Sequence, residues 1–328
     1  MTDSSPQGGT DNTPLRLGTR RSTLAMAQSG LVAQAVSEVT GRDVELVEIT
    51  TYGDVSREDL AQIGGTGVFV AALREALLRG EVDFAVHSLK DLPTAQPEGL
   101  VLAAVPLRED PRDVLVARDG LTFEELPAGA RVGTGSPRRM AQLNAYARAH
   151  GLSIETVPIR GNVDTRIGFV RDGKLDAVVL AAAGLSRLGR TDEVTDFLSP
   201  DTVLPAPGQG ALAIECAATS TDLAAALAEL DDPYTRVAVT AERSLLAALE
   251  AGCSAPVGAL ADLLVDGQAV NELRLRGVVG STDGSSLVQL STTGPVPTSQ
   301  DDAAALGREL ASEMLAKGAA GLMGERAL

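Results

Sequence analysis

The chain has 328 residues, 44% of them hydrophobic and 22% charged, enough to bury a sizeable core divided among two or three domains. A formal charge of −16 and an aromatic share of 2% with no Trp argue against nucleic-acid backbones, anionic lipid surfaces and base-stacking platforms as partners. Two cysteines, Cys216 and Cys253, fit a reducing compartment better than a disulfide framework, so a cytoplasmic protein is expected, with no nucleic acid or membrane as partner.

Residues 1–14 are polar and rich in Gly, Ser and Thr, and read as a disordered tail. Leu15–Gly18 predicts a strand. Ser22 is placed to cap a helix on which Leu24, Gln28, Leu31, Ala35 and Val39 recur at helical spacing up to Gly41. Val44–Thr50 is the next strand, and Thr51–Gly67, with its glycine cluster, reads as a mobile loop. A helix over Val68–Arg79, stopped by Gly80, leads into a strand over Val82–Val86. That strand ends abruptly in Ser88, Leu89, Lys90 and Asp91 before Pro93. Strand, helix, strand, helix, strand is the pattern of a parallel sheet with crossover helices.

Leu100–Val105 predicts another strand, and Pro106–Pro111 a hinge. A second α/β unit follows. It has a strand at Arg131–Thr134, a helix begun by Ser136 and Pro137 and ending near His150-Gly151, and a strand at Ile154–Ile159. The turn Arg160-Gly161-Asn162, a helix over Val163–Asp172 and a buried strand at Leu175–Ala181 complete it. The Pro- and Gly-rich Leu204–Gly210 reads as a return connection that lets Ala211–Glu215 rejoin the first sheet. A long helix, Tyr234–Glu250, precedes a small α+β unit with strands near Val257–Val265, Glu272–Val279 and Ser286–Ser291 and a helix at Asp301–Lys317. The expected domains are 15–108 with 209–230, 109–208, and 231–328. Nothing reads as an obligate interface, so a monomer is expected.

Three strand-to-helix turns carry arginine: Thr19–Ser22, Gly135–Arg139 and Arg160–Arg166. A helix N-terminus already favours an anion, and a guanidinium fork adds a match to carboxylate or phosphate. Three such turns in so acidic a chain suggest a cleft for a ligand with several negative groups. The absence of G-x-x-x-x-G-K-[ST], and of a G-x-G-x-x-G after a strand, favours carboxylates over a nucleotide. Lys90 is one of three lysines against 25 arginines, at the carboxyl end of a strand where ligands of α/β sheets sit. The plain alternative is a solvated Lys-Asp turn. Cys253, between Gly252 and a nearby proline, reads as an exposed loop thiol able to hold something covalently, and Cys216 as a packing residue. No His or Cys lies at metal-ligand spacing, and no metal is expected.

TRRSTLA, GGTGVFV, VHSLKDLPT, GTGSPRR, IRGNVDTR, LPAPGQGALAIE and AGCSAPVGA, in this order, resemble the hydroxymethylbilane synthase, or porphobilinogen deaminase, family. The resemblance runs from about Leu15 into the last domain. It implies two doubly wound α/β lobes with a cleft between them, similar to type II periplasmic binding proteins, plus a small α+β C-terminal domain. It implies a transferase of tetrapyrrole biosynthesis that joins four porphobilinogen molecules head to tail into linear hydroxymethylbilane. It also implies a dipyrromethane cofactor in thioether linkage to the position of Cys253.

By the same resemblance the catalytic acid falls on Asp91. Cofactor contacts fall on Ser88, Lys90, Asp91, Thr134, Ser136, Arg138, Arg139, Arg160, Gly161, Arg166 and Arg187. Substrate contacts fall on Arg20, Ser22, Phe69, Arg160, Arg166, Arg187 and Gln209. Where family members often carry loop lysines this chain has Gln62 and Thr66. The chemistry agrees with the assignment. Each pyrrole bears acetate and propionate, and loss of ammonia leaves a cation delocalised onto the pyrrole nitrogen, which a nearby carboxylate stabilises. The rival reading is a two-lobed module that binds an anionic small molecule without catalysis.

Overall fold

A computed structural model of the chain describes residues 13–49, 67–251, 255–266 and 269–323. The expected loop over 51–67, apart from its last residue, therefore lies outside the described residues, as does most of the tail. Two five-stranded sheets and one three-stranded sheet form the framework of the described residues.

The first sheet is built from β1 (Leu15–Thr19), β2 (Val44–Glu48), β3 (Phe84–Ser88), β4 (Leu100–Ala104) and β10 (Leu212–Ala217), in the order β2-β1-β3-β10-β4. The second is built from β5 (Asp113–Ala117), β6 (Ala130–Gly133), β7 (Ile154–Val157), β8 (Ala177–Ala181) and β9 (Asp196–Phe197), in the order β7-β6-β8-β5-β9. The two orders share one plan. Three parallel strands come first, and the fourth, β10 or β5, runs antiparallel to both its neighbours. Each antiparallel strand is the one reached directly across the connection from the other lobe. The sheets are therefore mixed, where the strand–helix alternation alone predicts parallel pairing.

Helices cover these sheets: α1 (Thr23–Thr40), α2 (Gly67–Leu78), α3 (Pro137–His150), α4 (Val163–Arg171), α5 (Ala182–Arg187) and α6 (Thr221–Ala228). Local chemistry sets their ends. Ser22 and Ser136 cap α1 and α3, and left-handed Gly41 and Gly151 close them. The helical spacing marks α1 correctly but not its inner face: Gln28, Ser29, Val32 and Val36 are buried, whereas Leu31 is 55% exposed. Strand β5 and helix α6 are additions to the sequence reading. β5 was missed because it follows the proline-rich hinge at once, with Asp113 opening its apolar run.

The C-terminal unit lays α7 (Pro233–Ala248) and α8 (Gln300–Ala316) against an antiparallel sheet of β11 (Val257–Asp266), β12 (Ala269–Gly280) and β13 (Leu287–Pro295). Leu245, Ala259, Leu273, Leu275 and Met314 are fully buried in its core. A separate apolar cluster joins Val239 of α7 to Leu89, Leu92, Val105 and Ala213, seating this helix behind the end of β3.

Candidate active site

β3 ends in a single 3-10 turn, Leu89–Asp91. Leu89 and Leu92 point into the core, with exposures of 0% and 2%. Burying two leucines is worth about 1.5–3 kcal/mol each and leaves half-buried Lys90 and Asp91 on the other side. Ser88, just before the turn, is tied to the first helix: Gln28 Nε2 donates to Ser88 Oγ at 3.2 Å.

In the second lobe, β6 runs into buried Thr134, whose Oγ1 accepts from the Ser136 N–H at 3.2 Å. Gly135 is required between them, because a Cβ there would stand 2.5 Å from Ile159 O. Arg138 and Arg139, in the first turn of α3, are 3% and 5% exposed and converge on Asp113, which is fully buried at the start of β5. Arg138 Nη1 donates to Asp113 Oδ2 at 2.7 Å and to Leu204 O at 2.6 Å. Arg139 donates to Asp113 Oδ1 through Nη2 at 2.7 Å and Nε at 3.1 Å, and to Val179 O through Nη1. Burial works to raise the Asp113 pKa, but the two guanidinium charges outweigh it and hold the carboxyl below the usual carboxylate range.

Gln209 joins the two turns. Its Nε2 donates to Asp113 Oδ1 and to Pro111 O, each at 2.8 Å, while its Oε1 accepts from Lys90 Nζ at 3.3 Å. The Lys90 ammonium is pushed down to about 8, by burial first; Asp91 pulls it up, and the Arg139 charge pushes it further down.

The third arginine turn is organised by Gly161, at φ 114°, whose carbonyl accepts from Arg166 Nε at 2.8 Å. The Arg166 pKa is lowered by burial first and then by the Arg139 charge. Arg160 is exposed. Arg187 closes α5 and donates to Gly210 O at 2.6 Å. Half-buried Arg20 and Ser22 lie at the start of α1, and Ser22 Oγ accepts from the Ala25 N–H at 3.3 Å. The same helix meets α5 where Leu24 Cδ2 stands 3.7 Å from the position a Cβ would take on Gly184. Cys253 and the side chain of Phe69 fall outside the described residues, as do Gln62 and Thr66. Cys216 is a fully buried free thiol.

Lys90, Asp91, Gln209, Arg138, Arg139 and Arg166 thus form one neighbourhood, with Asp113 at its base. Four cations face two carboxylates. Among the described residues no carboxylate lies within ion-pair distance of Lys90 or Arg166, so their positive charge is available to an anion beside half-buried Asp91. The sequence reading did not find Asp113, Arg108, Glu242 or Arg243. Arg108 and Glu242 form a buried bidentate pair at 2.7 and 3.0 Å that also takes the Gly208 N–H, fixing the return connection. Arg243 donates to the main chain of the Lys90–Asp91 turn. The available signal was a charged residue opening or interrupting an apolar pattern.

Residues 15–225 match the family model described as porphobilinogen deaminase, dipyromethane cofactor binding domain, and residues 236–316 that of the porphobilinogen deaminase C-terminal domain. Curated relatives cover nearly the whole chain. "Porphobilinogen deaminase 1" of Streptomyces avermitilis is 84% identical over 95% of this chain and 98% of its own length. "Porphobilinogen deaminase 1" of Streptomyces coelicolor is 83% identical over the same shares. "Porphobilinogen deaminase" of Thermobifida fusca is 58% identical over 94% of this chain and 95% of its own. With both family models matched in order, and relatives this similar along its length, the chain belongs to the porphobilinogen deaminase family.

Proposed function

We propose that this chain joins four porphobilinogen molecules head to tail, with release of ammonia, into linear hydroxymethylbilane, and that Asp91 is its catalytic acid. The observation that carries the reading is the link from the Asp91 turn through Lys90 and Gln209 to Asp113 and its two arginines. It sets one carboxylate beside an excess of positive charge. A module that binds anions without catalysis is not favoured, given the family.

The family's dipyrromethane group fits the residues present. Its pyrroles bring acetates and propionates, and Lys90 and Arg166 are cations with no carboxylate partner among the described residues. We assign Cys253 as its tether, on the sequence AGCSAPVGA. Ser88, Lys90, Thr134, Ser136, Arg138, Arg139, Arg160, Gly161, Arg166 and Arg187 are assigned to holding it. When bound, the group supplies a pyrrole carbon as the first acceptor for substrate. Arg20, Ser22, Phe69 and Gln209, with the arginines of the third turn and Arg187, are assigned to the carboxylates of porphobilinogen.

The protein's own contribution is electrostatic. As the C–N bond of the substrate's protonated aminomethyl group breaks and the amine departs as ammonia, its positive charge passes onto the substrate pyrrole. The Asp91 carboxylate stabilises that charge and moves the pyrrole protons, and the surrounding cations orient the substrate's carboxylates. Arg138 and Arg139, most of whose donors are spent on Asp113 and main-chain carbonyls, act chiefly through their field. The same reading keeps the division into 15–108 with 209–230, 109–208 and 231–328, supported by one sheet in each. It also keeps a cytoplasmic location, supported by the low cysteine content, and the expectation of a monomer.

Replacing Asp91 by Ala tests the assignment. The variant is expected to fold and to lose about two to four orders of magnitude in kcat. Turnover within a few-fold of wild type would refute it.

A further inference from the structure

We propose that Arg243 is a positioning residue for Asp91: from α7 of the C-terminal unit it grips the main chain of the turn that carries the acid. The proposal rests on the reading of Asp91 as the catalytic acid. Arg243 Nη1 donates to Leu89 O at 3.1 Å and to Leu92 O at 2.9 Å, and Nη2 donates to Pro93 O at 2.7 Å. One guanidinium thus satisfies three carbonyls spanning Lys90 and Asp91.

The turn needs such a donor. It is a single 3-10 turn whose internal hydrogen bond is the Leu92 N–H to Leu89 O at 3.1 Å, and Pro93 has no N–H to continue it. Burial of Leu89 and Leu92 fixes depth, not rotation. A planar fork reaching the turn's first and last carbonyls fixes rotation as well, which a lysine, as a point charge, does not.

The residue before it makes the grip rigid. Glu242 is fully buried, chelates Arg108, and accepts from the N–H groups of Gly208 and Ala261 at 2.7 and 2.9 Å. Two adjacent residues of one helix therefore hold the return connection and the acid's turn at a set separation. A misplacement of about 1 Å of a reacting group can cost on the order of a hundredfold in rate. The geometry of Asp91 is thus set from outside its own lobe.

Arg243→Gln and Arg243→Lys, made in the full chain with its cofactor, test this. For Gln we expect kcat to fall at least tenfold while KM for porphobilinogen changes less than threefold and the intact mass keeps its dipyrromethane excess. For Lys we expect a smaller loss, of at least threefold. In the Lys variant, amide exchange at Leu92 should accelerate at least tenfold, with core amides of β8 unchanged. Wild-type kcat in a folded Gln variant, or unchanged Leu92 exchange in the Lys variant, overturns the proposal. Should the Gln variant fail to fold, the exchange and kcat of the Lys variant decide alone. An Asp91→Ala control separates the two ideas: if it is active, the acid assignment fails, while Leu92 exchange still reports whether Arg243 holds the turn.

Discussion

Lys90 Nζ donates to Gln209 Oε1 at 3.3 Å, and the nitrogen of the same amide donates to Asp113 Oδ1 at 2.8 Å. One side chain, on the connection between lobes, so couples the turn beside the acid to the charge that pairs both arginines of α3.

The pH response of binding follows from that coupling. Lys90, held at about 8 by burial, is an ammonium at neutral pH. A bound carboxylate favours the ammonium and raises its pKa, so the binding gain is whole below about pH 8 and is lost as pH rises through it. The affinity of the cofactor-free Cys253→Ser variant for a free dipyrromethane carboxylate should therefore fall between about pH 8 and 9.5, and adding Lys90→Arg should flatten that limb. An affinity that stays constant over the range would contradict the placement of Lys90 against the cofactor.

Asp113 is the counter-charge for two buried guanidiniums. Asp113→Asn leaves both without it, and removing one member of a buried ion pair costs about 3–5 kcal/mol. Urea unfolding should show a loss of this size. A loss under about 1 kcal/mol would mean that water, not Asp113, solvates the arginines.

The cofactor assignment is read by mass. Wild-type protein should weigh more than its sequence by one dipyrromethane, and Cys253→Ser should weigh its sequence mass alone. An excess that survives the substitution would place the tether on another residue.

Gly210 sits at φ 88°, and a Cβ there would stand 2.4 Å from Glu109 O. Gly210→Ala combines an unfavourable backbone with a main-chain clash and should cost about 1–3 kcal/mol or more. Because Gly210 O accepts from Arg187, KM should rise with the loss of stability. Calorimetry and KM both unchanged would show that the connection yields without consequence.

Local chemistry made much of this legible from the sequence. Ser22 and Ser136 cap helices, Pro137 begins one, and Gly41 and Gly151 end two, because each acts on backbone groups within a few residues of itself. The abrupt end of a strand in Ser88, Lys90 and Asp91 was readable too, and β3 ends there in a single turn. The return of Ala211–Glu215 to the first sheet was readable from its apolar run, and β10 pairs there.

The rest depended on partners far away in the chain. Arg108 meets Glu242 across 134 residues and Arg243 meets Pro93 across 150, and no local pattern reports which of 25 arginines will be buried or against what. The antiparallel insertion of β5 and β10 likewise follows from how the chain crosses twice between lobes, not from either strand's composition. The order of residue types along the backbone determined the elements, their ends and the family's motifs, since those rest on short-range hydrogen bonding and hydrophobic period. Only folding decided that Arg138 and Arg139 turn to Asp113 while Lys90 and Arg166 keep no carboxylate partner among the described residues, because burying a charge is settled by whatever opposite charge three-dimensional packing brings within reach.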